Sequence, residues 1–234
     1  MLLTLAKLSD DAVGLEKLLR FGQYASQAIG ASFVPLSSGD AIEAAIPWRQ
    51  AQAQFALSRR YFRLLKWHGT FSAAYTTATV EQPTLERTLR VCKFSFLGLY
   101  LFFEMFAITN AMKLTDYAWA AAMQHEALKF WLYAIVSSLL LGICLCFSTP
   151  SSPAGAAKAT PAANEEKSDV AVQNAAPPPA VEYSKIYVQL AIDCADVLIP
   201  GAALGWIQLD DFYVGIAGTL STLLALQGLW RRVE

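Results

Sequence analysis

The chain has 234 residues, 16% of them charged, a net charge of −1 and a mean hydropathy of +0.37. Soluble domains carry roughly 25% charge, so the deficit, concentrated in long apolar stretches, points to an integral membrane protein. The near-zero balance excludes the global basic field that draws a protein to nucleic acid.

The opening MLLTLAKLSDD is too short an apolar run, met too soon by two aspartates, to read as a secretory leader. Insertion is therefore expected to use internal segments. From Asp10 to about Ile29 an amphipathic helix is expected, with Leu15, Leu18, Leu19, Tyr24, Ala25 and Ile29 at helical spacing. Asp10 or Asp11 can cap it through free backbone N–H groups, and Gly30 and Pro35 are expected to end it. The SSGD that follows reads as a loop.

After Pro47, residues 53–75 (AQFALSRRYFRLLKWHGTFSAAY) read as one cationic helix. At 3.6 residues per turn, Arg59, Arg63, Lys66 and Thr70 form one stripe. Leu57, Tyr61, Leu64, Leu65, His68, Phe71 and Tyr75 cover the opposite side, with Arg60 and Trp67 on one border and Phe55 and Phe62 on the other. Positive charge beside a broad apolar face suits a membrane interface: side chains enter the acyl boundary and arginines meet lipid phosphates. A surface helix packed on its own bundle is the plainer alternative.

Gln82-Pro83 breaks the chain. Residues 89–111 are long enough to span a bilayer but carry Lys93 and Glu104, and an intramembrane carboxylate is costly unless it faces other helices. Residues 128–147 (LKFWLYAIVSSLLLGICLCF) form the clearest span, matching a hydrocarbon core of about 30 Å, with Trp131 and Tyr133 near the interface. Residues 148–181, rich in alanine and proline and without periodicity, read as a disordered linker. Between 183 and 207 Asp193 and Asp196 interrupt an apolar pattern, Pro200 is expected to bend it, and Gly201 and Gly205 form a small-xxx-small pair. Residues 212–230 are the second clear span, between Asp210-Asp211 and Arg231-Arg232.

The fold class expected is all-α: an integral membrane helical protein with N-terminal amphipathic helices and two to four membrane-embedded helices. Four regions follow: 1–88, amphipathic and cytosolic; 89–147, an embedded helix and a transmembrane helix; 148–181, the linker; and 182–234, a second such pair. Arg231 and Arg232, like the basic N-terminal part, favour the cytosol, so both ends are expected there. Two spans or four satisfy this equally and differ in the side that holds the linker.

Cys92, Cys144, Cys146 and Cys194 lack metal or redox spacing and read as small packing residues. His68 falls on the apolar face, and His125-Glu126 lacks an HExxH partner. With no nucleophile–base pair, phosphate loop or dinucleotide fingerprint, neither an enzyme nor a cofactor or metal is expected.

Three stretches carry a resemblance: VGLEKLLRFGQY at 13–24, QFALSRRYFRLLK at 54–66, and LAIDCADVLIPGAALGWIQLDDFYVGIAGTLSTLLALQGLW at 190–230. Their order and spacing resemble the peroxin-11 family of peroxisomal membrane-elongation proteins; the linker and low basic content point to a divergent fungal member. The resemblance implies a multi-pass protein of the peroxisomal membrane that elongates it before fission. It gives Arg59, Arg60, Arg63 and Lys66 the lipid-facing basic role and makes Leu57, Tyr61, Leu64, Leu65 and Phe71 the inserted wedge. Gly201, Gly205, Gly215 and Gly218 are expected to pack helices. Implied partners are the phospholipid membrane, other copies of the chain, and a dynamin-related fission GTPase with its adaptor, with no nucleic acid. The alternatives are a small-solute channel lined by Glu104, Asp193 and Asp196, and a scaffold that recruits the fission machinery.

Overall fold

The computed structural model describes residues 8, 11–34, 39–80, 82–147 and 183–233; the linker expected at 148–181 lies outside them. The described residues form α1 (Ala12–Ser32), α2 (Gly39–Tyr61), α3 (Lys66–Val80), α4 (Leu85–Ala111), α5 (Ala120–Phe147), α6 (Tyr183–Ala203) and α7 (Asp211–Val233). The protein is all-α, and α4, α5, α6 and α7 are each long and apolar enough to cross a membrane.

Local chemistry explains most boundaries. Asp11 caps α1 by accepting from Gly14 N at 3.1 Å, and Thr84 caps α4 by accepting from Arg87 N at 3.1 Å. Both α4 and α6 end in the same backbone motif. Leu114 N bonds Thr109 O and Lys113 N bonds Asn110 O; in α6, Trp206 N bonds Gly201 O and Gly205 N bonds Ala202 O. The residue at the left-handed position is Lys113 (φ 58) in the first case and Gly205 (φ 72) in the second.

Several expected boundaries move. Gly30 lies inside α1, where its missing Cβ admits Trp48 of α2; a Cβ there would stand 3.2 Å from the Trp48 Cβ. Helix α2 begins at Gly39, so Pro47 is internal, and Glu43, whose carbonyl loses its helical bond to residue 47, is an exposed residue. Pro200 lies within α6. Helix α5 starts at Ala120 because AAAMQHEA is a run of good helix formers ahead of the apolar stretch. The largest change is at 53–75, expected as one helix: it is cut by a tight turn at 62–65, held by i→i+3 bonds from Arg63 N to Arg60 O (2.9 Å) and Lys66 N to Arg63 O (3.0 Å).

The helices pack as a ring: α3 on α4, α4 on α5, α5 on α6, α6 on α7, α7 on α1 and α1 on α2, with α2 touching α4. Aromatic contacts join α3, α4 and α5: Trp67 meets Phe102 edge-on at 5.7 Å and Phe103 stacks on Phe130 at 5.4 Å. Trp131 packs against two buried clusters, Tyr24–Ile199–Val214 and Tyr100–Leu101–Ala127, and so ties the halves of the ring together. On the outside, Val136, Leu140, Ile143 and Phe147 of α5 and Ile216, Leu220 and Leu223 of α7 are exposed at helical spacing. Such continuous apolar faces are at home against lipid acyl chains.

Helix α1 seats on the small-residue face of α7. A Cβ at Gly218 would lie 2.3 Å from the Tyr24 ring, and one at Gly215 2.6 Å from Ala28 N. Gln27 donates to Asp211 at 3.2 Å at the end of this contact. The amphipathic first helix therefore runs antiparallel along a span.

Candidate functional site

The ring gathers charge at its centre. Glu16 and Arg20 come from α1, Arg59 from the last turn of α2, Arg63 from the α2–α3 turn, Tyr100 and Glu104 from α4, and Asp196 from α6. Glu16, Arg20, Arg59, Glu104 and Asp196 are all buried. Arg63 holds the centre: its Nε donates to Glu16 at 3.0 Å, and its Nη1 donates to the Tyr100 hydroxyl at 2.7 Å and lies 3.6 Å from Glu104. Lys66 also reaches Glu16, at 3.3 Å, and Arg60 stands 3.7 Å from Glu104. Arg20 is closed directly onto Asp196 and donates to Ser221 of α7 at 3.3 Å.

These contacts set the ionisation of the N-terminal groups. Burial would raise the Glu16 carboxyl, but the positive charges of Arg63, Lys17 and Lys66 outweigh it and hold the group at about 2. Burial, then the neighbouring Arg20, lowers Lys17 to about 8. Arg59 is lowered to about 10, first by burial and then by Arg63. Arg63 is raised: burial opposes its charge, but Tyr100, Glu104 and Glu16 more than compensate. Arg20 is raised likewise by Asp196.

A second polar contact lies between α4, α5 and α6. Lys93 Nζ donates to Ser138 Oγ at 2.9 Å, and Ser138 Oγ donates to Asp193 at 2.5 Å; Gln189 donates to the other Asp193 oxygen at 2.8 Å. Every acidic side chain within the spans that the sequence marks as a pore liner, Glu104, Asp193 and Asp196, thus faces a cation or a hydroxyl. Buried charges in apolar surroundings persist when paired in this way.

The structure divides the nine residues expected to meet lipid. Arg63 points into the bundle, where Glu16, Tyr100 and Glu104 supply partners that an interfacial stripe would lack; Arg59 is buried beside it over the Tyr24 ring, its Nε and Nη1 without a hydrogen-bond partner among the described residues. Phe71 is packed against Gly98 of α4, where a Cβ would lie 2.7 Å from its ring. Leu57 and Leu64 are half-buried. Tyr61 (46%) and Leu65 (72%) are exposed, as is much of Lys66, and Arg60 is partly so. Phe62, expected on the border, joins the exposed set. Tyr61, Phe62, Leu64, Leu65, Lys66 and Gly69 line an open concavity of about 500 Å³ at the turn.

The four glycines also divide. Gly215 and Gly218 receive α1. Gly201 makes room for Ile207 of its own turn, with a Cβ only 2.6 Å from the Ile207 Cδ1. Gly205 lies beyond α6, and a Cβ there would meet nothing within 4 Å among the described residues, so it terminates the helix rather than seating a neighbour. Glu16, Arg20, Tyr24 and Tyr100 were not singled out from sequence. The available signal was indirect: a carboxylate inside a span requires a partner, and α1 carries Lys17 and Arg20.

Ring packing, a paired charge centre and four helices long and apolar enough to cross a membrane fit an all-α membrane protein whose N-terminal helices are docked onto the apolar ones. The model of the family described as peroxisomal biogenesis factor 11 (PEX11) matches residues 2–230, and the chain belongs to that family. It is 22% identical over 229 residues to the peroxisomal membrane protein PMP27 of Saccharomyces cerevisiae, covering 96% of this chain and 92% of that protein. No solved structure matches. The chain is thus a protein of the peroxisomal membrane with a role in peroxisome proliferation and membrane remodelling.

Proposed function

We propose that the chain bends the peroxisomal membrane with the α2–α3 turn as a shallow wedge. The observation that carries this reading is the exposure of Tyr61, Phe62 and Leu65 beside Lys66, next to arginines locked into the bundle. Apolar side chains at such a turn enter the acyl boundary while the lysine and Arg60 meet phosphates. Arg63 ties the turn to α1 and α4, so force on the wedge passes to the spans. Insertion in one leaflet expands it relative to the other, and the asymmetry favours tubules when many copies act together. No catalytic step is needed, and we read the chain as non-enzymatic.

Self-association through the outward faces of the spans, and recruitment of a dynamin-related fission GTPase and its adaptor by the N-terminal region, complete the reading. Four spans put both termini and the 148–181 linker on the cytosolic side. In support, turns 112–119 and 204–210 carry Lys113 as their only Lys or Arg, whereas Arg87, Arg90, Arg231 and Arg232 lie at the opposite ends of the spans. Because Glu104, Asp193 and Asp196 are engaged, membrane bending is favoured over a solute channel.

The test is full-length protein reconstituted in anionic liposomes and imaged by electron microscopy. Wild type is expected to draw tubules, and Leu65→Glu with Phe62→Glu to insert without drawing them. Equal tubulation by both proteins sinks the wedge.

A further inference from the structure

The Lys93–Ser138–Asp193 contact stands apart from the charge centre, and a cleft of about 190 Å³ between α4, α5 and α6 opens over it. Ser138 and Asp193 are buried in its floor beside Lys93, while Lys185 and Gln189, both exposed, stand at its rim. The other walls are apolar: Leu141, Gly142, Leu145, Ile186 and Leu190. Helices α5 and α6 close on one another at Gly142, where a Cβ would stand 2.6 Å from the Leu190 Cδ2, so the cleft is narrow. Asp193 is engaged by Ser138 and Gln189, and Ser138 takes one of the three N–H groups of Lys93. Lys93 and Lys185 against Asp193 leave the lining with one positive charge in excess. A lysine within a span is costly unless anions and acceptors surround it.

We propose that this cleft binds one single-chain amphiphile with a carboxylate head, a long-chain fatty acid. Its head lies against Lys93 and Lys185, and its chain follows Leu141, Leu145, Ile186 and Leu190. A carboxylate brings the one negative charge that the lining lacks, and a charge-assisted N–H···O bond is about twice as strong as a neutral one. The chain itself discriminates little, because lipid tails are as apolar as leucine, so selectivity rests on the head. Size argues for one chain. The cleft holds a compact head and the first methylenes, the rest running on into the bilayer, and the close approach at Gly142 leaves no place for the glycerol and second chain of a phospholipid. Lys185 lies two residues after the start of α6 and Leu145 two residues before the end of α5. The head therefore sits near one end of the spans, where a lysine reaches water while its stem stays in apolar surroundings. That this end faces the cytosol rests on the four-span reading above; the site itself does not.

The test uses full-length protein in phosphatidylcholine nanodiscs and a palmitate that carries a photoreactive diazirine on its chain, with labelled peptides located by mass spectrometry. The probe is expected to mark residues 138–145 of α5 and 186–193 of α6, and excess palmitate to displace it. Its methyl ester, the same chain without the charge, is expected to label these stretches at least about fivefold less, the scale of one charge-assisted bond. Lys93→Gln, which removes the charge, and Leu145→Trp, which fills the cleft and keeps every charge, are each expected to cut the labelling at least about fivefold. Lys93→Arg, which restores the charge, is expected to keep more than half of it. Equal labelling by acid and ester, labelling undiminished in both Lys93→Gln and Leu145→Trp, or displacement by phosphatidic acid as readily as by palmitate overturns the proposal. Tubules without acid-selective labelling would sink this site alone, and the labelling without tubules would sink the wedge alone.

Discussion

Arg20 of α1 closes onto Asp196 of α6, 176 residues away in sequence, and also donates to Ser221 of α7. One side chain thus fastens the first amphipathic helix to two spans. Removing one partner of a buried ion pair leaves the other charge uncompensated, at about 3–5 kcal/mol. Arg20→Gln and Asp196→Asn are each expected to lose about that much stability in detergent. The double variant should be less damaged than the sum, because no orphan charge remains. Additive losses in chemical denaturation would show that the two do not act as a pair.

The seat of α1 on α7 depends on Gly218. A Cβ there meets the Tyr24 ring at 2.3 Å, and overpacking costs about 1–3 kcal/mol. Gly218→Ala is expected to destabilise the protein in that range and to speed proteolysis within α1. Gly228, whose Cβ would meet nothing within 4 Å, is the control: Gly228→Ala should be neutral or gain up to about 1 kcal/mol from helix propensity. Equal midpoints for the two variants would show that α1 does not rest on this glycine.

Glu16 and Lys17 give opposite pH dependences. With Glu16 held at about 2 in the fold, against about 4.5 when free, its contribution is complete above pH about 4.5 and fades as pH falls towards 2. Lys17 falls to about 8 from 10.5, so its charged form is disfavoured in the fold, and stability rises with pH between about 8 and 10.5. Glu16→Gln should flatten the acid limb and Lys17→Met the alkaline one. Lys17→Met should also stabilise the protein below pH 8. Unfolding midpoints across pH 3–10 check both, and an unchanged acid limb in Glu16→Gln would overturn the first.

Lys113 and Gly205 occupy equivalent left-handed positions at the ends of α4 and α6. A side chain there costs roughly 1 kcal/mol relative to glycine. Lys113→Gly is expected to raise stability by about that amount and Gly205→Ala to lower it, as read from denaturation midpoints. The same sign for both would contradict the assignment.

Much of this protein was legible in its sequence, for reasons local to the chain. Apolar length identifies two clear spans and leaves two further segments as candidates, Asp10 or Asp11 marks a cap, Pro83 a break, and the Asp210-Asp211 and Arg231-Arg232 pairs bound the last span. Helical periodicity sorted residues 53–75 into faces as though they formed one helix; the turn at 62–65 breaks that register, and periodicity could not show which way either part turns. That depended on Glu16, Tyr100 and Glu104, brought beside Arg63 only when α1 and α4 pack; the hydrogen bonds to Glu16 and Tyr100 and the charge of Glu104 draw the arginine inward, and they accompany a turn whose four residues, 62–65, include no glycine or proline. The same holds for the glycines. Their spacing announces close approach, yet only the fold decides that Gly215 and Gly218 receive α1, that Gly201 receives Ile207, and that Gly205 simply ends a helix. Hydropathy and capping act within a few residues of chain, so sequence alone determines them, whereas the pairing of Arg20 with Asp196 and the isolation of Arg59 depend on what distant helices bring to one point.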